Sequence, residues 1–198
     1  MCARARRRRA RSDLCLITPF RPRALRARKD DGAGEGALNL TDVATYLGYN
    51  ERDDGTPFHG EVRTMQIWSR ALGADEVASL YALDGVCLAT PTPAPTPAPT
   101  PHELARALDH SLCFEQCALA DQVGGMDATL ANGATCTPGV GVVFDGDDDY
   151  VDLADQSLGG PMTIAFHARW DSLDSWLRLC DFADGAGYDN IIVGWNAG

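Results

Sequence analysis

Short runs of alternating apolar and polar residues recur along most of the chain, separated by turn residues. The clearest run is residues 162–170, where every second residue is apolar, as in a strand with one buried face. In residues 58–69, the pattern directs Val62, Met65 and Ile67 inward. The other predicted strands are 43–48, 112–115, 128–130, 140–144, 150–153, 176–182 and 191–195. Short, regularly spaced strands with Gly and Asp turns predict an antiparallel β-sandwich.

One segment has helical periodicity. In residues 75–81, the apolar side chains of Val77, Leu80 and Tyr81 recur at the i, i+3, i+4 spacing. This spacing predicts a short helix that packs one apolar edge onto the sandwich.

A proline-rich segment divides the chain. Residues 90–101 alternate proline with threonine or alanine, which favours an extended polyproline II spacer. We take 90–108 as a linker between two partial sandwich units, residues 38–89 and residues 109–198. Residues 1–37 form a basic leader without strand or helix periodicity, and we predict that it is disordered.

The net charge of −11 combines two opposed regions. The leader is rich in arginine, whereas the rest of the chain is strongly acidic. An acidic body argues against nucleic-acid binding by the folded part and is compatible with divalent cations. Arginines 6–9 fit a nucleic-acid or import patch, an organelle transit segment, or a terminus outside any domain. No stretch approaches 18 apolar residues, so no membrane span is predicted.

The seven cysteines favour disulfides over a metal site. Cys113 and Cys117 have CxxxC spacing, but no second close pair follows to complete a zinc site. Cysteines near a Pro-Thr linker are typical of a secreted modular protein. Cys117–Cys136 and Cys113–Cys180 are candidate pairings, and the odd total leaves at least one thiol outside intramolecular disulfides.

Several motifs resemble one known family. Residues 144–151, Phe-Asp-Gly-Asp-Asp-Asp-Tyr-Val, resemble the FDGxxDYV hairpin of laminin G-like jelly-roll domains, which belong to the concanavalin A-like lectin/glucanase superfamily. Asn-Gly-Ala at 132–134 precedes it, as is typical of that family. Residues 58–72 resemble the family's closing strand and the start of its terminal helix. The resemblance covers about 38–83 and 109–198, and implies an extracellular lectin-like or adhesion module.

The two partial units occur in reversed order. The upstream unit resembles the last strands of the family's sandwich, and the downstream unit resembles its first strands. We therefore hypothesise that the units complete one permuted sandwich, within one chain or by exchange between chains. One departure stands out: the family usually has two Asp in its closing strand where this chain has Arg63 and Thr64.

The acidic hairpin is the best candidate for a metal site. Asp145, Asp147 and Asp148 supply hard oxygen ligands of the kind that calcium prefers. The alternative is a solvated turn, since Asp and Gly are good turn formers. A weaker second calcium candidate comprises Asp181, Asp184, Asp189 and Asn190.

Binding of a sugar ring is a second hypothesis. We predict that Trp176 is exposed enough to stack on a glycan, with Arg178 beside it, although tryptophans are more often core residues.

No catalytic arrangement is evident in the sequence. The Glu-x-Asp-x-Glu strand of related glucanases does not occur, and no histidine stands beside a nucleophile motif. We expect a non-catalytic extracellular module that binds glycans or proteins, with calcium as a cofactor. The alternatives are a structural spacer without ligand and an inactive fragment of a glycoside-processing enzyme.

Overall fold

The computed structural model describes residues 2–3, 13–17, 39–48, 56–83, 104–172, 177–183 and 191–195. These residues contain twelve strands, one α-helix and one 3-10 turn. The strands are β1 (Cys2–Ala3), β2 (Asp13–Ile17), β3 (Asn39–Leu47), β4 (His59–Trp68), β5 (Leu108–Leu112), β6 (Ala128–Ala131), β7 (Thr135–Thr137), β8 (Gly141–Asp145), β9 (Tyr150–Gly159), β10 (Thr163–Trp170), β11 (Leu177–Ala183) and β12 (Ile191–Trp195). The helix is α1 (Ala74–Ala82), and the 3-10 turn spans Phe114–Gln116.

The strands form two antiparallel sheets. In sheet A the order is β1-β2-β10-β4-β8-β7, and β5 also pairs with β4. In sheet B the order is β12-β11-β3-β9-β6. The two sheets enclose one apolar cluster, which confirms the predicted antiparallel β-sandwich.

Two strands from upstream of the linker, β3 and β4, lie in the interior of the sheets. β4 pairs with β10 on one side and with β8 and β5, one after the other, on its second side. β3 lies between β9 and β11. All these neighbours come from downstream of the linker. Strands from both sides of the linker therefore share both sheets, as the within-chain form of the completion hypothesis requires.

The main core follows from strand alternation. On β10, Ile164 and Phe166 are buried between the sheets, whereas Ala165 joins a cluster on the opposite face of sheet A. Phe58 anchors the aromatic part of the core and makes edge-on contacts with Phe144 at 5.4 Å and Trp170 at 5.6 Å between ring centroids. As predicted, Val62, Met65 and Ile67 belong to this core.

A smaller cluster covers the outer face of sheet A. Trp68, Leu80 and Leu104 are buried in it, so α1 and the turn before β5 both pack on this face. The indole Nε1 of Trp68 donates a buried hydrogen bond of 2.6 Å to the carbonyl of Leu104. A strand from upstream of the proline-rich segment 90–101 is thereby joined to Leu104, the first described residue after that segment.

The helix prediction is confirmed in position and partly wrong in its buried face. Leu80 is buried and Val77 is half-buried against the smaller cluster. Tyr81, which was predicted to pack inward, is 44% exposed. The helix contacts the sheet through the side of α1 that carries Val77 and Leu80, and this orientation leaves Tyr81 in solvent.

Several boundaries differ from the sequence prediction. Strand β3 begins four residues earlier than predicted, and β9 continues six residues further. A strand was predicted at 112–115, but β5 ends at Leu112 and a 3-10 turn follows. Residues 104–108, assigned to the linker, contain two buried leucines, Leu104 and Leu108, because the outer cluster recruits them.

The leader also differs in part from its predicted disorder. Cys2–Ala3 and Asp13–Ile17 are strands at one edge of sheet A. The run Leu14-Cys15-Leu16-Ile17 is apolar, and β2 pairs along β10. The remainder of the predicted disordered segment lies outside the described residues.

One predicted disulfide is confirmed and one is wrong. Cys117 and Cys136 are bonded, with 5.6 Å between their Cα atoms. Cys180 is a buried free thiol, and Cys113 is disulfide-bonded, so the predicted Cys113–Cys180 pair does not exist. Burial raises the pKa of the Cys180 thiol well above its ordinary value. A register shift in β11 between Arg178 and Cys180 places Leu179 and Cys180 together in the core.

Candidate functional site

The acidic turn, residues 145–149, carries the predicted metal ligands. It crosses from β8 in sheet A to β9 in sheet B, so the predicted hairpin at this position is wrong. Asp145, Asp147 and Asp148 are exposed, whereas Asp149 is only 5% exposed. Three carboxylates therefore face solvent over one that is buried.

Two side-chain hydrogen bonds shape this turn. The amide of Asp147 donates to Oδ1 of Asp145 at 2.8 Å, and the amide of Asp145 donates to Oδ2 of Asp149 at 2.9 Å. Bonds of this kind are the reason that Asp is favoured in turns. The carboxylates of Asp145 and Asp149 therefore serve first as turn formers.

Asp149 is electrostatically strained within the turn. Burial raises the pKa of its carboxyl, and the nearby charges of Asp145 and Asp148 add to this, against the lowering effect of the Asp145 amide. Among the described residues, its Oδ1 has no hydrogen-bond partner. An added Cβ at Gly133 would lie 2.7 Å from this oxygen, so the Asn132–Gly133 turn closes over it.

His59 lies across from the acidic turn. It is the register partner of Asp145 on the neighbouring strand, and its ring is exposed. Gly146 has φ +86°, and an added Cβ there would lie 2.8 Å from Cβ of His59. The glycine therefore allows the turn to pass close to an upstream strand. The site is built from both sides of the linker.

No side-chain arrangement ready for a metal is found in the described part of the chain. There, no group of three or more His, Cys, Asp or Glu side chains is placed to hold an ion. Calcium binding at Asp145, Asp147 and Asp148 stays a prediction. It would require the three exposed carboxylates to converge, and the Asp145 carboxylate would have to do so while keeping or giving up the hydrogen bond that its Oδ1 accepts from the Asp147 amide.

The predicted glycan site is described only in part. Arg178 is 6% exposed, and its Nη1 donates to Oδ2 of Asp181 at 2.9 Å. A buried ion pair of this kind holds β11 together and offers little surface to a ligand. Trp176 lies outside the described residues, as do Asp184, Asp189 and Asn190 of the second acidic set.

The sequence did not reveal a second polar centre around Asp121. The side chain of Asp121 is fully buried and accepts hydrogen bonds from the amides of Ser111, Val123 and Met126 at 2.8–3.2 Å. Nδ1 of His110 lies 2.7 Å from its Oδ2. Burial raises the pKa of Asp121, but these hydrogen bonds outweigh it and the net pKa is lowered.

This centre closes the loop between the 3-10 turn and β6. An added Cβ at Gly124 would lie 2.5 Å from Nδ1 of His110, so the loop backbone packs directly on the imidazole. The glycine pair at 124–125, three residues after an aspartate, is the only local signal for such a loop in the sequence.

No helix among the described residues has the length and apolarity to cross a membrane. Comparisons with protein-family models, with characterised proteins and with solved structures found no match to this chain.

Proposed function

We propose that this protein is a non-catalytic extracellular binding module of the laminin G-like jelly-roll type, and that it recognises glycans or protein partners with the help of calcium. The antiparallel sandwich supports the resemblance on which this proposal rests. The Cys117–Cys136 disulfide supports an oxidising compartment.

The observation that carries the proposal is the preformed acidic turn. Its backbone is held by two side-chain hydrogen bonds, and Asp145, Asp147 and Asp148 face solvent. A braced turn with exposed carboxylates lowers the ordering cost of calcium binding, because the ion accepts flexible coordination by carboxylate and carbonyl oxygens. A bound ion would give the module a charged contact point for sugar hydroxyls or acidic partners.

The test is thermal unfolding of the full chain in calcium and in chelator. If calcium binds the native state and not the unfolded chain, each kcal/mol of stabilisation by binding should raise the Tm by about 2–4 °C in a chain of this size. The Asp145→Asn/Asp147→Asn variant removes two charges and keeps an oxygen acceptor at each position, so it should fold and lose the calcium shift. Asp155→Asn, at an exposed position on β9, is the matched control and should keep the shift.

A glycan array read with and without calcium identifies the ligand class. Binding that requires both calcium and the wild-type acidic turn supports the proposal. Trp176→Ala tests the stacking hypothesis separately, since its loss should weaken glycan binding without changing the calcium shift. A chain that folds cooperatively and binds neither calcium nor any glycan or protein partner contradicts the proposal.

A structural spacer is the second candidate, and one observation favours it. The Asp145 carboxylate already accepts the Asp147 amide, so the acidic turn has a complete role in local folding without any ion. In this case the calcium shift would be absent from the wild type and from both variants.

A further inference from the structure

The two ends of the proline-rich linker lie in one side-chain cluster. Leu104, the first described residue after it, is buried with Trp68 and Leu80, and Leu83, the last described residue before it, packs against the same cluster. In a monomer, residues 84–103 must therefore leave this cluster and come back to it.

The chemistry of the linker opposes this return. Residues 90–101 are twelve residues in which every second one is proline. As a polyproline II rod, the eleven steps from residue 90 to residue 101 would span about 34 Å, at about 3.1 Å per residue. The ten remaining steps, seven from residue 83 to 90 and three from 101 to 104, reach at most about 36 Å when fully extended. A straight rod therefore closes within one chain only if the rest is nearly fully stretched, or if the rod bends.

The described contacts across the linker are the same whichever copy supplies the upstream strands. β4 contributes Glu61, whose Oε1 lies 2.7 Å from Nη2 of Arg169 on β10, and His59, which faces the acidic turn. In an exchanged assembly each copy receives these contacts from a neighbour, so no packing is lost. The neighbour also supplies the histidine beside the candidate metal site.

We propose that a second copy of this chain inserts its β3–β4–α1 segment into the sandwich of the first, with the stiff linker bridging the two. Closure within one chain is favoured by the effective concentration of the upstream strands near their own downstream strands. This concentration is in the millimolar range for short flexible linkers, and it falls towards zero when the linker cannot span the two sites. A rod that must bend lowers this concentration. Exchange between copies then competes at ordinary protein concentrations. The proposal is independent of calcium and glycan binding.

Cysteines placed on facing strands of separate copies test the exchange. Glu61 and Arg169 are register partners on β4 and β10, at a spacing that a disulfide can bridge. One copy carries Glu61→Cys and the other Arg169→Cys. They are unfolded together, refolded at about 100 µM, well below that millimolar range, and oxidised. A disulfide between residues 61 and 169, found by peptide mapping, forms between two copies only if β4 of one pairs with β10 of the other.

The matched control replaces residues 90–101 with twelve Gly and Ser residues, whose root-mean-square span is only about 19 Å. We expect the yield of the intermolecular 61–169 disulfide to fall at least about tenfold in this variant, because closure within one chain becomes easy. Light scattering of the unmodified chain should show twice the mass of one chain.

Three results would overturn the proposal. The first is a monomer at all concentrations, with the 61–169 disulfide formed only when both cysteines are in the same chain. The second is a dimer without the 61–169 link, which would place the contact on another surface. The third is an equal yield of linked dimer with both linkers, which would remove the stiffness argument.

Discussion

Nη2 of Arg63 on β4 lies 2.6 Å from Oε1 of Glu115 in the 3-10 turn beside the Cys117–Cys136 disulfide. The same nitrogen donates to the carbonyl of Gly139, whose amide in turn donates to the carbonyl of Glu115. Under the proposed laminin G-like resemblance, Arg63 replaces an aspartate that the family usually has. In this chain the position ties an upstream strand to the downstream disulfide loop.

We predict a measurable coupling between Arg63 and Glu115. Both side chains are about one-third exposed, so a double-mutant cycle with Arg63→Ala and Glu115→Gln should give about 0.5–1 kcal/mol, decreasing in high salt. Urea unfolding measures it. Arg106→Ala removes the same charge from an exposed side chain and should change the free energy of unfolding little. A coupling free energy of zero at low salt would show that this ion pair does not stabilise the contact between the two segments.

The close approach of β4 and β10 predicts an intolerant glycine. Gly60 has φ +155°, and an added Cβ would lie 2.0 Å from the carbonyl oxygen of Arg169. Gly60→Ala should therefore lower the free energy of unfolding by about 3 kcal/mol or more. Gly125→Ala meets nothing within 4 Å and is the matched control. Similar urea midpoints for the two variants would mean that the strands do not pack as described.

The buried Asp121 carboxylate predicts acid sensitivity. Its folded pKa is lower than its unfolded pKa, so as pH falls the unfolded chain takes up the proton first. Its contribution to stability is present above about pH 4 and is lost as pH falls through the folded pKa. Asp121→Asn should cost about 2–4 kcal/mol at neutral pH, because it replaces a charged acceptor of three backbone amides. It should also flatten the acid limb of the stability profile.

Denaturant titrations between pH 2.5 and 7 check this, with Asp152→Asn, an exposed residue, as control. An acid limb that persists unchanged in Asp121→Asn would assign the sensitivity to other carboxylates.

The pKa of Asp149 is shifted in the opposite direction to that of Asp121, so ionisation of Asp149 should affect stability in the opposite way. Its folded pKa is raised, so the native state takes up this proton first as pH falls, and the ionised form costs stability at neutral pH. Asp149→Asn keeps an acceptor for the Asp145 amide and removes the charge, so its stability relative to wild type should be highest at neutral pH. The advantage should shrink as pH falls through the folded pKa. The same titrations measure it, and a relative stability independent of pH would contradict this account of the acidic turn.

The Cys117–Cys136 disulfide closes a loop with a sequence separation of 19. From the loop entropy of the unfolded chain, we expect Cys117→Ser/Cys136→Ser to lower the free energy of unfolding by about 3 kcal/mol. Guanidinium unfolding without reductant checks this. Unchanged stability would mean that the unfolded chain is already restricted in this region.

The sequence predicted the parts of the fold that depend on local periodicity. Strand β12 was predicted at its observed bounds, and the inward residues of β4 were predicted from its apolar pattern, although a register shift at Arg63 interrupts the alternation. Periodicity could not predict Tyr81, because the edge of a helix that is buried depends on where the partner surface lies. It also missed β7, since three residues are too short to show a pattern.

The polar centres were harder to predict for the same reason. Asp121 is saturated by amides that lie up to ten residues away in the chain, and Asp149 is buried by a glycine turn on another strand. Nothing in the residue types distinguishes these aspartates from exposed ones. Only the tertiary placement of the backbone amides does so.

The central claim is that strands on both sides of the linker form one cooperative sandwich. The most direct test is hydrogen exchange of β4 and β10 in a variant with a protease recognition site inserted between residues 90 and 101, after the protease has cut at that site. The readout is the opening free energy of each strand and not whether the two fragments stay attached. A disulfide that keeps the fragments together would therefore not determine the outcome. We predict equal opening free energies for the central amides of β4 and β10 in the cut protein. Exchange of β4 at a lower free energy while β10 stays protected would contradict the account.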